Sequence, residues 1–223
     1  MPFDLSPLWI SLKTAIVATL ITFFLGIAAA RWIVGYHGKG KGIIEGILIS
    51  PLVLPPTVIG FLLLLLLGRN SPIGQLLHHL GITIIFSWSA TVIAAVVVAF
   101  PLMYRSAVGA FEQIDLSVID AAQTLGASGW VIFWRVMLPL ARPGIVAGTI
   151  LAFARALGEF GATLMLAGNI PGETQTIPVA IFFATEAGEM HQALVWSIVL
   201  LTLSLSVIIG INLWTEGRSH RET

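Results

Sequence analysis

The chain has 223 residues, of which 57% are hydrophobic and only 10% are charged, and its mean hydropathy is +0.97. Soluble domains carry about 25% charged residues, so this composition excludes a soluble globular protein and predicts a polytopic membrane protein surrounded by lipid. The formal net charge of zero gives no electrostatic reason to expect a nucleic-acid partner. The lack of cysteine excludes disulfides and thiolate metal sites.

Several apolar stretches are long enough to cross a bilayer, which takes about 20 residues. The predicted spans are Leu8–Val34, Ile43–Leu67, Ile84–Tyr104, Ile145–Ala167 and Ala193–Trp214. A further segment, Thr176–Gly188, has too few apolar positions for a span and suits an interfacial or re-entrant piece. We therefore expect an all-α fold, a transmembrane helical bundle with about five core spans and possibly a sixth short helix. Residues 1–223 should form a single transmembrane domain.

The second span contains three prolines, Pro51, Pro55 and Pro56. Proline removes a backbone donor and kinks a helix, and the freed carbonyls must be satisfied by protein or water at membrane depth. The sequence thus predicts a helix that is broken around Pro55 and buried in the bundle. The break is either a tolerated kink or a part of the transport pathway.

Basic residues are distributed unevenly among the loops, and they favour the cytoplasmic side of a membrane. Eight of them lie near span ends that are predicted to share one side of the membrane: Arg31, Lys39, Lys41, Arg105, Arg135, Arg142, Arg218 and Arg221. Lys13 and Arg69 belong to the other side. The N-terminus is therefore expected outside and the C-terminus in the cytoplasm.

A polar hairpin, residues 112–142, lies between the third and fourth spans on the predicted cytoplasmic side. Asp115 can cap a first helix that runs to Leu125. Gly126 suits the left-handed position that ends such a helix. The pattern predicts two short helices joined by a tight turn.

The second helix of the hairpin should begin at the cap Ser128 and run to about Leu138, where Pro139 helps to end it. Apolar side chains at helical spacing should form one stripe along it: Trp130, Phe133, Trp134 and Met137. The pattern fits either an amphipathic hairpin among lipid headgroups or a knob that docks into a soluble partner. In the second case the small Ala121 and Ala122 would allow close approach.

The fourth predicted span contains small residues at every fourth position, which permit close helix packing in lipid: Gly144, Gly148, Ala152 and Ala156. Arg155 and Glu159 are also four residues apart, and Thr163 extends that line. Such a pair should point into the bundle, where charges cost less than in lipid. It is either a structural ion pair or a part of a pathway or gate. With the broken second span, the pathway or gate candidates are Pro55, Pro56, Arg155, Glu159 and Thr163.

The sequence contains no pattern that indicates an enzyme, a cofactor site or a metal site. The glycine-rich stretch GYHGKGKG lacks the spacing and the Ser or Thr of a phosphate loop. Adjacent residues such as His78 and His79 point apart on a helix, so a solvated loop or a partner contact explains them better than a metal.

The hairpin resembles the cytoplasmic "EAA" signature of ABC importer permeases. The matching positions are Asp120, Ala121, Ala122, Gly126, Val136, Leu138 and Pro139, with Asp in place of the usual Glu and Val in place of the usual Ile. Three further segments, PLVLPPTVIG, FPLMYRSAVGAFEQID and FARALGEFGATLMLAGNIPGETQTIP, are similar to the molybdate permeases, in a group that includes sulfate and tungstate permeases. The resemblance implies a type I ABC importer permease with an ATPase-coupling hairpin.

Several expectations follow from the resemblance alone. The permease would conduct molybdate or tungstate, or alternatively a sulfate-type oxyanion, across a bacterial or archaeal inner membrane. Its partners would be two copies of an ABC ATPase, an extracytoplasmic oxyanion-binding protein and a second permease copy. The binding protein would dock on the outer loops around RNSPIGQLLHHLG and GNIPGETQT. A separate hypothesis rests on charge and not on the resemblance: Glu173, Glu186 and Glu189 in the fourth outer loop, which has few basic residues, would pair with basic residues of that protein. A stand-alone secondary transporter is the alternative from another class, but it leaves the hairpin unexplained.

Overall fold

The computed structural model describes residues 4–219, with the side chains of all of these except residue 208 and residues 210–219. The described part is helical and contains no strand. The α-helices are α1 Ser6–Val34, α2 Lys41–Val53, α3 Pro56–Leu67, α4 Pro72–His79, α5 Trp88–Glu112, α6 Leu116–Thr124, α7 Gly129–Ile132, α8 Leu138–Leu140, α9 Arg142–Leu157, α10 Gly161–Ala167, α11 Ile177–Glu186 and α12 Met190–Ser219. A π-helical turn, Phe133–Met137, joins α7 to α8.

Among the described residues, three helices are long and apolar enough to cross a membrane alone, α1, α5 and the Met190–Val207 part of α12. Up to five spans result if each of two bent helix pairs counts as one, which agrees with the expected bundle. The third predicted span is shifted, because α5 begins at Trp88 rather than Ile84 and continues to Glu112 rather than Tyr104. Phe86 has a positive φ of 58°, so a helix cannot run through that residue from Ile84 into α5.

The second predicted span is broken where its prolines lie, as expected. α2 ends at Val53 and α3 begins at Pro56, with an angle of 115° between them. Leu54 and Pro55 are extended, and proline cannot continue the hydrogen bonds of the preceding helix. The expected burial of this span is wrong within the single chain, since α2 has no buried residue and α3 buries only Ile59 and Gly60.

The fourth predicted span is also broken, which the sequence analysis did not predict. α9 ends at Leu157, and α10 begins at Gly161. The expected line of side chains from Arg155 through Glu159 to Thr163 is therefore interrupted. The physical reason is local, because the Glu159 carboxylate accepts a hydrogen bond from the backbone N–H of Ala162 and so starts a new helix.

The core of the bundle is the packing of α1 against α5. Gly26 allows the closest approach, since a Cβ at that position would lie 2.7 Å from Cγ of Met103. A buried polar contact supports the same interface, because the hydroxyls of Thr14 and Thr91 are 3.0 Å apart and the Trp88 indole donates to Thr14. Pairing inside the bundle satisfies these groups where no water is available.

The small residues of the fourth predicted span have the predicted effect, because they bring α9 onto α5. A Cβ on Gly144 would lie 2.6 Å from Cβ of Ala110, and one on Gly148 would lie 2.6 Å from Cβ of Ser106. Ala152 is fully buried. The two helices therefore pack almost backbone to backbone.

The sixth, short segment forms α11, a helix of ten residues. Ile177 and Val179 are fully buried, and the N–H of Ile177 donates to Oγ of Ser11 on α1 at 2.8 Å. Ile177 also packs with Trp196 of α12. The segment is thus a part of the bundle and not a helix lying separately on its surface.

We predict that Gly60→Ala lowers the stability of the purified protein by about 1–3 kcal/mol, a typical cost of overpacking. The added Cβ would lie 2.8 Å from Cα of Ala162 and 2.7 Å from Cβ of Met165. Gly46→Ala in α2 is the matched control, because it meets nothing within 4 Å. Thermal unfolding in detergent checks both variants, and equal midpoints would contradict the tight contact between α3 and α10.

Candidate functional site

Two regions of the chain bring together the residues selected from the sequence, and the first is the hairpin of residues 112–142. Asp115 accepts a hydrogen bond from the N–H of Ser117 at 2.9 Å and caps α6. That hydrogen bond lowers the pKa of the Asp115 carboxyl below its ordinary value. The cap is therefore complete at neutral pH and is lost only as the pH falls through the lowered pKa.

The turn of the hairpin has the predicted geometry. Gly126 has a φ of +80°, in the left-handed region that favours glycine. Ser128 caps the second limb by accepting from the N–H of Val131 at 3.4 Å. Leu125, just before the turn, is 87% exposed and is the most prominent apolar side chain of the hairpin.

The second limb departs from the sequence prediction. Pro139 does not end it, since the helix continues to Leu140 and bends by 72° into α9 around Ala141. A proline ring clashes with the carbonyl four residues before it. Here the turn that contains that carbonyl, at Arg135, is widened to a π-helix.

The π-helical turn also divides the expected apolar stripe. Phe133 and Met137 are buried, whereas Trp130 is 71% exposed and Trp134 is 50% exposed. The stripe is therefore two surfaces, one buried and one exposed. The buried surface includes Ile132 and packs on the bundle core. The exposed indoles contact each other edge to face, with ring centroids 5.6 Å apart.

The residues of the signature differ in exposure. Asp120, Ala121, Gly126 and Pro139 are exposed, whereas Ala122, Val136 and Leu138 are half-buried against the core. A cavity of about 610 Å³ separates the base of the hairpin from α5 and α9. Its polar lining includes Arg105, Gln113 and Asp115. The hairpin thus offers an outward apolar tip and is only partly packed at its base.

The second region is the place where the two helix breaks meet. A Cβ on Gly161, at the start of α10, would lie 3.1 Å from Cβ of Pro56 and 3.2 Å from the backbone nitrogen of Thr57. Gly60, one turn further along α3, approaches Ala162 as described above. The second halves of both broken spans therefore pack directly on each other. This contact brings Pro55, Pro56, Glu159 and Thr163 into one neighbourhood.

The break in the fourth span holds the only Arg–Glu ion pair among the residues that the structure describes. Nη1 of Arg155 lies 2.8 Å from Oε2 of Glu159. Oε1 of Glu159 accepts the N–H of Ala162, also at 2.8 Å. The Glu159 side chain is only 2% exposed and that of Arg155 is 28% exposed. Oε2 makes an ionic contact and no well-aligned hydrogen bond.

Sequence reasoning missed several residues that build this region. Gly60 and Gly161 permit the close packing, and a glycine within an apolar helix is a signal that could have identified them. Phe160, in the break itself, stacks obliquely with Phe182 of α11 at a centroid distance of 5.2 Å. That contact joins distant parts of the chain, so no local pattern could predict it.

The adjacent histidines His78 and His79 belong to a different surface. Both end α4, and both are exposed. His78 lines a cavity of about 750 Å³ together with Arg69 and mostly apolar side chains. Within the part of the chain that the structure describes, no three His, Asp or Glu side chains lie close enough to share a metal ion.

Comparison with known proteins identifies the family. The family model described as "binding-protein-dependent transport system inner membrane component" matches residues 22–212. The chain belongs to this family. It is 45% identical over 204 residues to a molybdenum transport system permease of Escherichia coli K12, covering 90% of this chain and 89% of the relative. It is 44% identical over 207 residues to a putative molybdenum transport system permease of Bacillus subtilis, covering 92% and 91%.

More distant similarities extend the comparison. A probable sulfate transport system permease of Chlorokybus atmophyticus is 37% identical over 95% of this chain and 74% of the relative. Among solved structures, a chain of the inward-facing MetNI methionine ABC transporter matches with a TM-score of 0.72 and 17% identity, covering 95% of this chain and 94% of that one. A chain of a bacterial alginate ABC transporter gives 0.73 and 16%, covering 95% and 78%. At these identities the structures support the fold alone.

Proposed function

We propose that this member of the family is the inner-membrane permease subunit of an ATP-driven ABC importer for molybdate or tungstate. The observation that carries the proposal is the 45% identity to a molybdenum transport system permease over 90% of the chain. The fold agrees with it, because the spans and the hairpin resemble those of importer permeases. A sulfate-type oxyanion is the second candidate, supported by the 37% identity to a probable sulfate permease.

The hairpin, residues 112–142, is the proposed coupling element. Leu125 and Leu116 are 87% and 72% exposed, and they flank the exposed face of α6 that carries Asp120 and Ala121. An exposed apolar tip with small neighbours suits insertion into a groove of a soluble protein. We assign ATP hydrolysis to a separate ATPase, present in two copies. The permease itself has no catalytic role in this proposal.

The two helix breaks form the proposed pathway. The candidates Pro55, Pro56, Arg155, Glu159 and Thr163 belong to this region, and Pro55 with its neighbour Leu54 is exposed on the single chain. A broken transmembrane helix needs cover from protein or water for its backbone. A second permease copy that faces this surface provides the cover and encloses a path. The functional unit is then a homodimer in which each copy contributes one break.

The orientation in the inner membrane follows from the basic residues. The N-terminus lies outside and the C-terminus in the cytoplasm, because most Lys and Arg flank the hairpin side. An extracytoplasmic oxyanion-binding protein then docks on the outer loops. Glu173, Glu186 and Glu189 are exposed there, and they pair with basic residues of that protein.

We predict that Leu125→Ala weakens binding of the ATPase more than tenfold, about the effect of losing an interface hot spot. Gly126→Asp should abolish binding, because a side chain at φ +80° is strained and adds charge to the tip. Leu80→Ala, equally apolar and 65% exposed on the outer side, is the control. Co-purification from the native membrane measures binding. An ATPase retained by both hairpin variants would refute the coupling role.

We predict that proteoliposomes with the permease, its ATPase and its binding protein accumulate labelled molybdate only with ATP. Excess tungstate should block this uptake, and excess sulfate should not. Equal inhibition of molybdate uptake by excess tungstate and by excess sulfate would favour the sulfate-type candidate. Uptake that continues with the ATPase omitted would favour a stand-alone secondary transporter instead.

We predict that changing Glu173, Glu186 and Glu189 together to Gln raises the concentration of binding protein needed for half-maximal uptake several-fold. Loss of charge complementarity slows the encounter of two proteins. The effect should shrink at high salt, which screens such charges. Unchanged half-maximal concentrations at low salt would exclude these acids from the docking surface.

A further inference from the structure

The Glu159 carboxylate has an unusual position for a charged group in a membrane protein. It is 2% exposed, and its two oxygens have separate partners, the N–H of Ala162 and the guanidinium of Arg155. A buried charge in a membrane is costly unless it is paired. Both oxygens of Glu159 are therefore engaged. The hydrogen bond from Ala162 lies in the first turn of α10, and the ion pair with Arg155 neutralises the charge.

Arg155 is held from one side only. Its guanidinium has five N–H donors, and Glu159 is its one ion-pair partner among the described residues. The side chain is 28% exposed, so part of it is accessible to a small anion. A planar guanidinium suits an oxyanion, because two parallel N–H groups can bind two of its oxygens.

The surroundings limit which groups can neutralise Arg155. The next residues along the chain meet uncharged partners: Phe160 stacks on Phe182 with ring centroids 5.2 Å apart, and Gly161 lies against Pro56 and Thr57. Among the described residues, Glu159 is the one carboxylate within ion-pair distance of Arg155.

We propose that Glu159 competes with the transported oxyanion for Arg155. The inference rests on the proposed function and adds a role for the carboxylate. A dianion that reaches Arg155 replaces Oε2 of Glu159 at the guanidinium, and the displaced carboxylate repels it at short range. Binding is consequently weak, which a transport pathway requires because the substrate must leave. Arg155 attracts the anion, and Glu159 ensures its release.

The test measures binding of tungstate to the purified permease–ATPase complex without the binding protein, by equilibrium dialysis with metal analysis. Glu159→Gln keeps an oxygen that can accept the N–H of Ala162 but removes the charge. We expect this variant to bind tungstate at least tenfold more tightly than the native complex, and to transport labelled molybdate more slowly in proteoliposomes. Glu45→Gln in α2 removes an acid elsewhere and should match the native complex in both assays.

Two further variants locate the effect. Arg155→Gln combined with Glu159→Gln should lose the gain in affinity, whereas Arg155→Lys combined with Glu159→Gln should keep part of it. A correctly assembled Glu159→Gln complex with native tungstate affinity would overturn the inference, as would a gain that persists without Arg155. If the native proteoliposomes transport no oxyanion at all, the proposed function itself fails. Normal native uptake with an unchanged Glu159→Gln variant overturns only the competition.

Discussion

The close contact between α3 and α10 is the constraint on which the rest of this structure depends. Both helices are the second halves of broken spans. Gly60 and Gly161 allow them to pack closely, because a Cβ at either position would crowd atoms of the other helix. Apolar side chains alone would not favour this contact in lipid, so packing of small residues has to provide it. Because the contact places both breaks side by side, Pro55 and Pro56 share one region with the Arg155–Glu159 ion pair.

The sequence predicted one of these breaks and not the other, for a physical reason. Proline lacks a backbone donor wherever it occurs, so Pro55 and Pro56 indicate a break without tertiary information. The second break depends on the Glu159 side chain reaching Ala162, and on Gly161 accommodating Pro56 from a distant segment. The straight spans were predicted from the length of their apolar stretches, which, like the position of a proline, is a local property of the sequence.

The hairpin likewise has features that the sequence predicted and one that it did not. Its caps, Asp115 and Ser128, and its left-handed turn are set by residues next to each other in sequence, and all of them were predicted. The division of the aromatic stripe was not, because it depends on which face of the hairpin packs on the distant bundle core. Trp130 and Trp134 lie on the surface although their spacing matches that of the buried Phe133 and Met137.

Helix α9 connects the two regions. Gly144 and Gly148 hold it almost backbone to backbone against α5, so the two helices form one closely packed unit. The chain bends by 72° around Ala141 at one end of α9 and leaves the helix after Leu157 at the other. If the hairpin is the coupling element proposed above, α9 is the direct covalent link through which its displacement reaches the Arg155–Glu159 pair.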